Sequence, residues 1–376
     1  MEFKTLYKLN TNGSTQVWSI HIGAHSHWTV TGKLGGKMIT SAPTAVLPKS
    51  NRTLEQQILS EANSKINKKL RKKYVDNVED IHTADANLPG YTAMLAHNYD
   101  KHKAKIVFPA YAQPKLDGVR CLATREGMFS RGRKQFTSCW HIQEELDIFF
   151  ENNAEVDTKL DGELYTHEFK SQFEKIVSAV RKTAEKTTEK DLELQQKMEY
   201  WVYDAPSLGG MYDETHYFGD RFYEASIKIE PESFAYIRIV PTVIVKNEKE
   251  LIKLKEKWIQ EGFEGAIVRN IRSPYEGKRS FNLQKLKDFE DAEFKIVGMV
   301  EGKGKLAGHA GKFIFELGDG SGLTFEAKLS GSFERLRILF EDHSLWKGEW
   351  GTVRYQGKLA SGRPRFGVCV SIRNYE

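Results

Sequence analysis

The 376-residue chain holds three cysteines, and they are scattered. Cys121, Cys139 and Cys369 form no C-x-x-C pair and sit in no histidine-rich stretch. Neither a zinc framework nor a disulfide scaffold is indicated, and reduced thiols in an intracellular protein are expected. Long apolar runs are also missing: nothing approaches the roughly 20 residues of a membrane span. The opening Met1-Glu2-Phe3-Lys4 lacks the apolar centre of a secretory signal. A cytoplasmic, monomeric chain with no membrane partner is therefore expected. No internal repeat or low-complexity tract is visible. Acidic residues are scarce in one region. Residues 1–75 carry twelve lysines and arginines against Glu2, Glu55 and Glu61, an excess of nine positive charges. With +5 for the whole chain, the other 301 residues carry −4. A basic head on a mildly acidic body points to a polyanion-binding module joined to something else.

What is present fits a folded protein of several domains: 40% hydrophobic and 11% aromatic residues. Four segments are predicted. Residues 1–85 form a small α+β unit. Alternating strands are expected at 15–22 and 27–31, with turns at Gly32, Gly35 and Gly36. A helix from Thr53 to about Val75 follows, capped by Asn51 or Thr53, with Leu54, Ile58, Ala62, Ile66 and Leu70 at helical spacing. Its last turns carry Lys68, Lys69, Arg71, Lys72 and Lys73, read as contacts to DNA phosphates. Residues 86–105, with Pro89-Gly90, are read as a linker. Residues 106–289 mix strands and helices without regular alternation, which predicts an antiparallel α+β unit. Within it, Thr183–Lys197 reads as a charged, solvated helical insertion. Residues 290–376 hold five short strands and a longer connection at 331–347, which suits a small Greek-key barrel.

The chemistry begins at Lys115-Leu116-Asp117-Gly118-Val119-Arg120. An Asp-Gly turn can fix a lysine at a strand end, and Arg120 offers donors to a ribose or phosphates. Four further elements follow in order: Leu160-Asp161-Gly162-Glu163-Leu164, Trp201-Val202-Tyr203-Asp204, Glu264-Gly265-Ala266-Ile267-Val268-Arg269, and Leu283-Gln284-Lys285-Leu286-Lys287. Glu163 suits a ribose hydroxyl, and Tyr203 can stack on a purine for about 1 kcal/mol. Glu264, with Asp117, offers hard oxygens to Mg²⁺. Lys285 and Lys287 alternate onto one strand face and can clamp an α-phosphate. Taken singly, each has an ordinary reading as a turn acid, a core aromatic or an exposed strand face. Their joint, ordered occurrence does not.

The set resembles the ATP-dependent DNA ligase family of covalent nucleotidyltransferases, in compact form, over about residues 106–376. The resemblance puts Lys115 in the place of the adenylated lysine and Arg131, in Ser130-Arg131-Gly132, at the 5′-phosphate of a nick. Gln113, Lys115, Arg120, Glu163, Tyr203, Lys285 and Lys287 then form the ATP site, and Lys115, Asp117, Lys285 and Lys287 the catalytic set. The implied architecture is an antiparallel-sheet adenylation domain followed by an OB-fold, and the implied substrates are ATP, with Mg²⁺, and nicked duplex DNA. Two positions depart from the family. Gln113 stands where a glutamate is usual. The C-terminal Arg-x-Asp-Lys motif is reduced to Arg373 in Ser371-Ile372-Arg373-Asn374-Tyr375-Glu376. The first segment resembles, more loosely, a WGR-type DNA-binding domain, with Gly32–Lys37 in place of the Trp-Gly-Arg run. A capping guanylyltransferase, an RNA ligase and a non-catalytic DNA-binding protein remain as alternatives. Arg120 argues against the RNA ligase, where asparagine is more usual.

Overall fold

The computed structural model describes residues 1–49, 51–84, 91–153, 157–170, 172–183, 187–206, 217–230 and 232–373. The N-terminal unit is an antiparallel sheet of Glu2–Leu9, Thr15–Ile22, Ser26–Lys33 and Met38–Thr40, with Thr44–Ala45 also paired to the third strand. The helix Leu54–Leu70 begins where its sequence offers a capping box. Thr53 Oγ1 accepts from the Gln56 amide at 3.2 Å, and the Gln56 side chain accepts from the Thr53 amide at 3.0 Å. Ala62 and Ile66 on its apolar face bury against Leu6, Trp18 and Ile20 of the sheet. This leaves the basic last turns at the rim.

Two five-stranded sheets form the centre. One runs, in spatial order, Ile237–Ile239, Glu199–Asp204, Leu160–Tyr165, Val119–Thr124 and Gly127–Ser130. The other runs Val243–Val245, Ala110–Lys115, Gly265–Asn270, Arg279–Leu286 and Leu95–Asn98. Pairing is antiparallel except at one edge of each sheet, where Ile237–Ile239 and Leu95–Asn98 join in parallel. Helices Trp140–Asn152 and Phe173–Arg181 cover the first sheet through Ile142, Leu146, Phe149 and Ile176. Helix Glu248–Glu261 covers the second through Leu251 and Trp258, packed on Ala112, Ala266 and Val268.

The segment expected as a linker is different in structure. Residues 86–90, including Pro89-Gly90, lie outside the described residues, but 91–105 belong to the central unit. Tyr91, Ala93 and Met94 are buried, and Leu95–Asn98 extends the second sheet. Polar composition misleads here because an edge strand shows one side to water. The expected solvated insertion also differs. The helix runs only over Glu189–Gln196, capped by Thr188, and Asp191 and Gln195 are buried, with Asp191 accepting from Lys182; residues 184–186 lie outside the described set. The C-terminal unit is a closed five-stranded barrel, Glu290–Glu301, Ala310–Glu316, Thr324–Leu329, Val368–Arg373 and Trp350–Tyr355. Phe294, Phe313, Phe315 and Phe325 fill it, and helix Phe333–Glu341 occupies the long connection. Among the described residues, no helix is long and apolar enough to cross a membrane.

Candidate active site

The strand ladder builds the site. Gln113 lies opposite Ile267, which lies opposite Lys285 on the next strand. Because side chains alternate, Lys115 shares the face of Gln113, and Arg269 that of Ile267. These residues form one wall of a cavity of about 260 Å³. The first sheet supplies the other wall: Arg120 and Glu163 are cross-strand partners, and Tyr203 comes from the neighbouring strand. Two glycines allow this geometry. A side chain on Gly118 would meet the Leu164 carbonyl at 2.5 Å, so the turn after Asp117 can press onto the first sheet only without one. Gly265 has φ +145°, and a Cβ there would lie 2.2 Å from the Leu286 carbonyl.

Lys115 ends its strand with its ammonium donating to Glu264 Oε2. The Glu264 amide also bonds the Lys115 carbonyl at 2.9 Å, so acid and amine are held by one piece of backbone. Lys287 reaches the other carboxylate oxygen at 3.3 Å. Burial works to raise the Glu264 carboxyl, but the two lysines outweigh it and hold it below the usual range. Lys285 is held below its ordinary value by burial, with Lys287 and Lys115 adding repulsion. Lys287 is lowered in the same direction, also mainly by burial. Burial pushes the Glu163 carboxyl up to about 8, against the pull of Lys115 and Arg120.

Behind the cavity, Gln113 is nearly fully buried. Its Nε2 donates to the Tyr203 carbonyl at 3.2 Å and to Thr242 Oγ1 at 2.9 Å. A carbonyl can only accept, and the Thr242 hydroxyl spends its proton on the Val240 carbonyl. The amide orientation is therefore forced: both hydrogens go to protein, and Oε1 is the acceptor left over. Arg120 lines the cavity with part of its guanidinium held by the protein. Its Nε donates to Asp161 Oδ1 at 2.9 Å, its Nη2 to Oδ2, and its guanidinium lies 5.5 Å from the Tyr203 ring centre. Tyr275 donates to the same carboxylate at 2.7 Å.

A second cleft adjoins the first and shares Lys115, Leu116 and Glu163 with it. Asp117, Glu264 and Lys287 line it, together with Gln356, Arg365 and Phe366 of the barrel. Arg365 grips Asp117 with two hydrogen bonds, one of 2.7 Å, and Lys287 donates to Gln356 at 2.5 Å. Asp117 and Glu264 thus face one cleft and offer the oxygens Mg²⁺ prefers, and cations already occupy that role there. Among the described residues, no group of three or more metal-ligating side chains occurs, so phosphate oxygens and water would complete such a site.

Of the expected residues, Gln113, Lys115, Arg120, Arg131, Glu163, Tyr203 and Lys285 line the first cavity. Asp117, Glu264 and Lys287 line the adjoining cleft. Lys68, Arg71, Lys72 and Lys73 lie elsewhere, in a basic groove that also includes Arg131. Lys69 turns inward, over the Trp18 and Tyr74 rings at 5.1 and 4.6 Å. Arg373 stands apart from the site, bonded to Glu293 and Thr352 on the barrel. Residues 374–376 lie outside the described residues. The sequence reading missed Arg365 and Gln356, more than 240 residues from Lys115, Leu95 and Ala96 on the edge strand, and Arg279 on the strand beside it. The Pro364-Arg365-Phe366 run between barrel strands was the signal available for Arg365.

The sequence pattern of the ATP dependent DNA ligase domain family matches residues 93–287, more than half of the chain. The chain belongs to that family. The match begins inside the segment read as a linker and ends at Lys287. The chain is 29% identical over 273 residues to a DNA ligase of African swine fever virus, covering 68% of this chain and 58% of the viral protein. It is 28% identical over 330 residues to the DNA ligase of Enterobacteria phage T4, covering 73% and 65%. The chain thus spans under two thirds of the length of either relative. A solved Lig E DNA ligase shares the fold, with 23% identity and a TM-score of 0.60 over 75% of this chain and 99% of that one. The ligase-family match contains every residue of both cavity walls, while the barrel and the N-terminal unit lie outside it.

Proposed function

We propose that this chain is an ATP-dependent DNA ligase that seals 5′-phosphate/3′-hydroxyl nicks in duplex DNA. The observation that carries the reading is Lys115: its amine sits on the border between the base cavity and the cation-lined cleft, on the Glu264 carboxylate. ATP fits this layout with its base toward Gln113 and Tyr203, its ribose toward Glu163, and its α-phosphate at Lys115, Lys285 and Lys287. Gln113 Oε1 meets the exocyclic amine of adenine and would face the O6 of guanine, so it selects ATP over GTP.

Glu264 receives the proton that Nζ must lose before it can attack. Nζ then attacks the α-phosphorus, a P–N bond forms, the bond to the β-phosphate oxygen breaks, and pyrophosphate leaves. The 5′-phosphate at a nick, held by Arg131, displaces Lys115 and carries the AMP. The 3′-hydroxyl then attacks that 5′-phosphorus, closing the strand and releasing AMP. Lys285 and Lys287 stabilise the charge that develops on phosphate oxygens. Mg²⁺, held through Asp117 and Glu264, would supply further charge neutralisation. For that, the Arg365 grip on Asp117 must open, so we assign the barrel, read as an OB-fold, a movable position.

In domain terms, 91–289 is read as the adenylation unit, 290–376 as the OB-fold unit, and 1–84 as a basic DNA-binding unit of WGR-like build. A labelled nicked duplex tests the function. Closure should require ATP and Mg²⁺ and should fail with GTP. No closure, or closure with GTP alone, overturns the reading in favour of another nucleotidyltransferase. An all-RNA nick sealed faster than DNA would favour an RNA ligase.

A further inference from the structure

The groove between the N-terminal unit and the adenylation unit has a volume of about 510 Å³. Eight of its eleven lining residues are lysine or arginine, and none of the described ones is acidic. One bank is Lys8 of the first strand with Lys68, Arg71 and Lys72 at the end of the helix. The other is the turn Ser130–Lys134, which the sequence reading treated separately. That turn is rigid. The Arg133 amide bonds the Ser130 carbonyl at 2.7 Å, the Lys134 amide bonds Ser130 Oγ at 3.1 Å, and Arg133 donates to Thr92 Oγ1 at 3.0 Å. The N-terminal bank is crowded with like charge: Lys8 is held below its ordinary value by burial, then by Lys73 and Lys72. Such crowding is relieved by a polyanion lying between the banks. Arg131 belongs both to this groove and to the cavity that holds Lys115. A phosphate chain leaving the adenylation site past Arg131 therefore enters the groove directly.

We infer that the groove between the basic helix end and the 130–134 turn is the track for the duplex arm on the 5′-phosphate side of the nick. The N-terminal unit thus grips one side of the substrate. This inference rests on the ligase reading and adds the side on which the head binds. Duplex DNA presents a charge about every 1.7 Å of its axis, so a groove with several cations on each bank can neutralise several phosphates.

The test measures binding to nicked duplexes whose arms are shortened on one side at a time, for the parent chain and for Lys68→Ala/Arg71→Ala/Lys72→Ala. Self-labelling with α-labelled ATP, which requires no DNA, checks that each variant is folded. If the triple variant fails that check, Lys134→Ala on the opposite bank takes its place. In the parent chain, shortening the 5′-phosphate arm should weaken binding at least tenfold. In the variant that sensitivity should disappear, and the slope of log affinity against log salt should shrink by about 2–3 for three lost phosphate contacts. Sensitivity to the 3′-hydroxyl arm should be equal in both. An unchanged salt slope overturns the inference, and so does loss of sensitivity to the 3′-hydroxyl arm instead. A parent chain that binds the arms as described but never takes the label would overturn the ligase reading and leave the groove standing.

Discussion

The two sides of the Lys115 site use opposite electrostatics. Next to Tyr203, charges are paired out of solvent: Asp204 and Arg221 are 0% and 1% exposed, and Arg269 completes the cluster. Burial alone would raise the Asp204 carboxyl, but the two guanidiniums hold it below the ordinary range. On the cleft side, Lys115, Glu264, Asp117 and Arg365 are paired too, yet each side chain stays 14–20% exposed. The Asp204 pairs are shielded from water, whereas the pairs that the proposed substrate would replace remain within reach of it. A buried pair is costly to break, and a wet one is cheap to exchange.

The largest break in this contrast is Asp204→Asn. An amide cannot serve two buried guanidiniums, and removing one partner of such a cluster costs about 3–5 kcal/mol. Denaturant unfolding should show that loss, with Lys115→Ala showing far less. Next comes Gln113→Glu. The carboxylate keeps the acceptor but loses both donors, and it faces the Tyr203 carbonyl and Thr242 oxygen. An unpaired buried polar contact costs about 1–3 kcal/mol, so ATP affinity should fall roughly ten- to a hundredfold by titration, with no gain for GTP. Retained affinity would show that the amide orientation is not decisive.

Another effect is expected from Glu163→Gln, and it is one of pH. Folding moves the Glu163 carboxyl from its ordinary 4.5 up to about 8, because of burial. Across that window the folded chain keeps a proton that the unfolded chain has released. The contribution to stability is full below the lower value and is lost as pH rises through the upper one. The parent should therefore lose stability between about pH 5 and 8 relative to the glutamine variant, and parallel curves would contradict the shift. The smallest effect belongs to Arg365→Ala. The partly exposed pair with Asp117 should cost no more than about 1 kcal/mol, while small-angle scattering should show a more extended molecule as the barrel loses that anchor.

Local signals were legible in the sequence, and long-range ones were not. The strand Thr15–Ile22 and the Thr53 cap follow from alternation and from a capping box four residues long. Lys115 and Glu264 could be read because each sits at a strand end, whereas Glu163 and Tyr203 lie inside strands and could be read only from the order of the whole set. Arg365 could not be, since its partner lies 248 positions away and only the packing of the barrel against the central unit brings them together. The edge strand Leu95–Asn98 was hidden because it pairs in parallel with a strand nearly 190 residues later, and no hairpin turn announces it. The ion pair of Arg120 was hidden for a related reason: Asp161, on the neighbouring strand of the same sheet, belongs to a motif already assigned through Glu163.

The most direct measurement is peptide mapping of the chain after incubation with α-labelled ATP and Mg²⁺. A phosphorus–nitrogen bond to lysine should place an acid-labile label on the peptide containing Lys115, and Lys115→Ala should carry none. Label on another peptide, or label retained by Lys115→Ala, would contradict the assignment of Lys115 as the nucleophile.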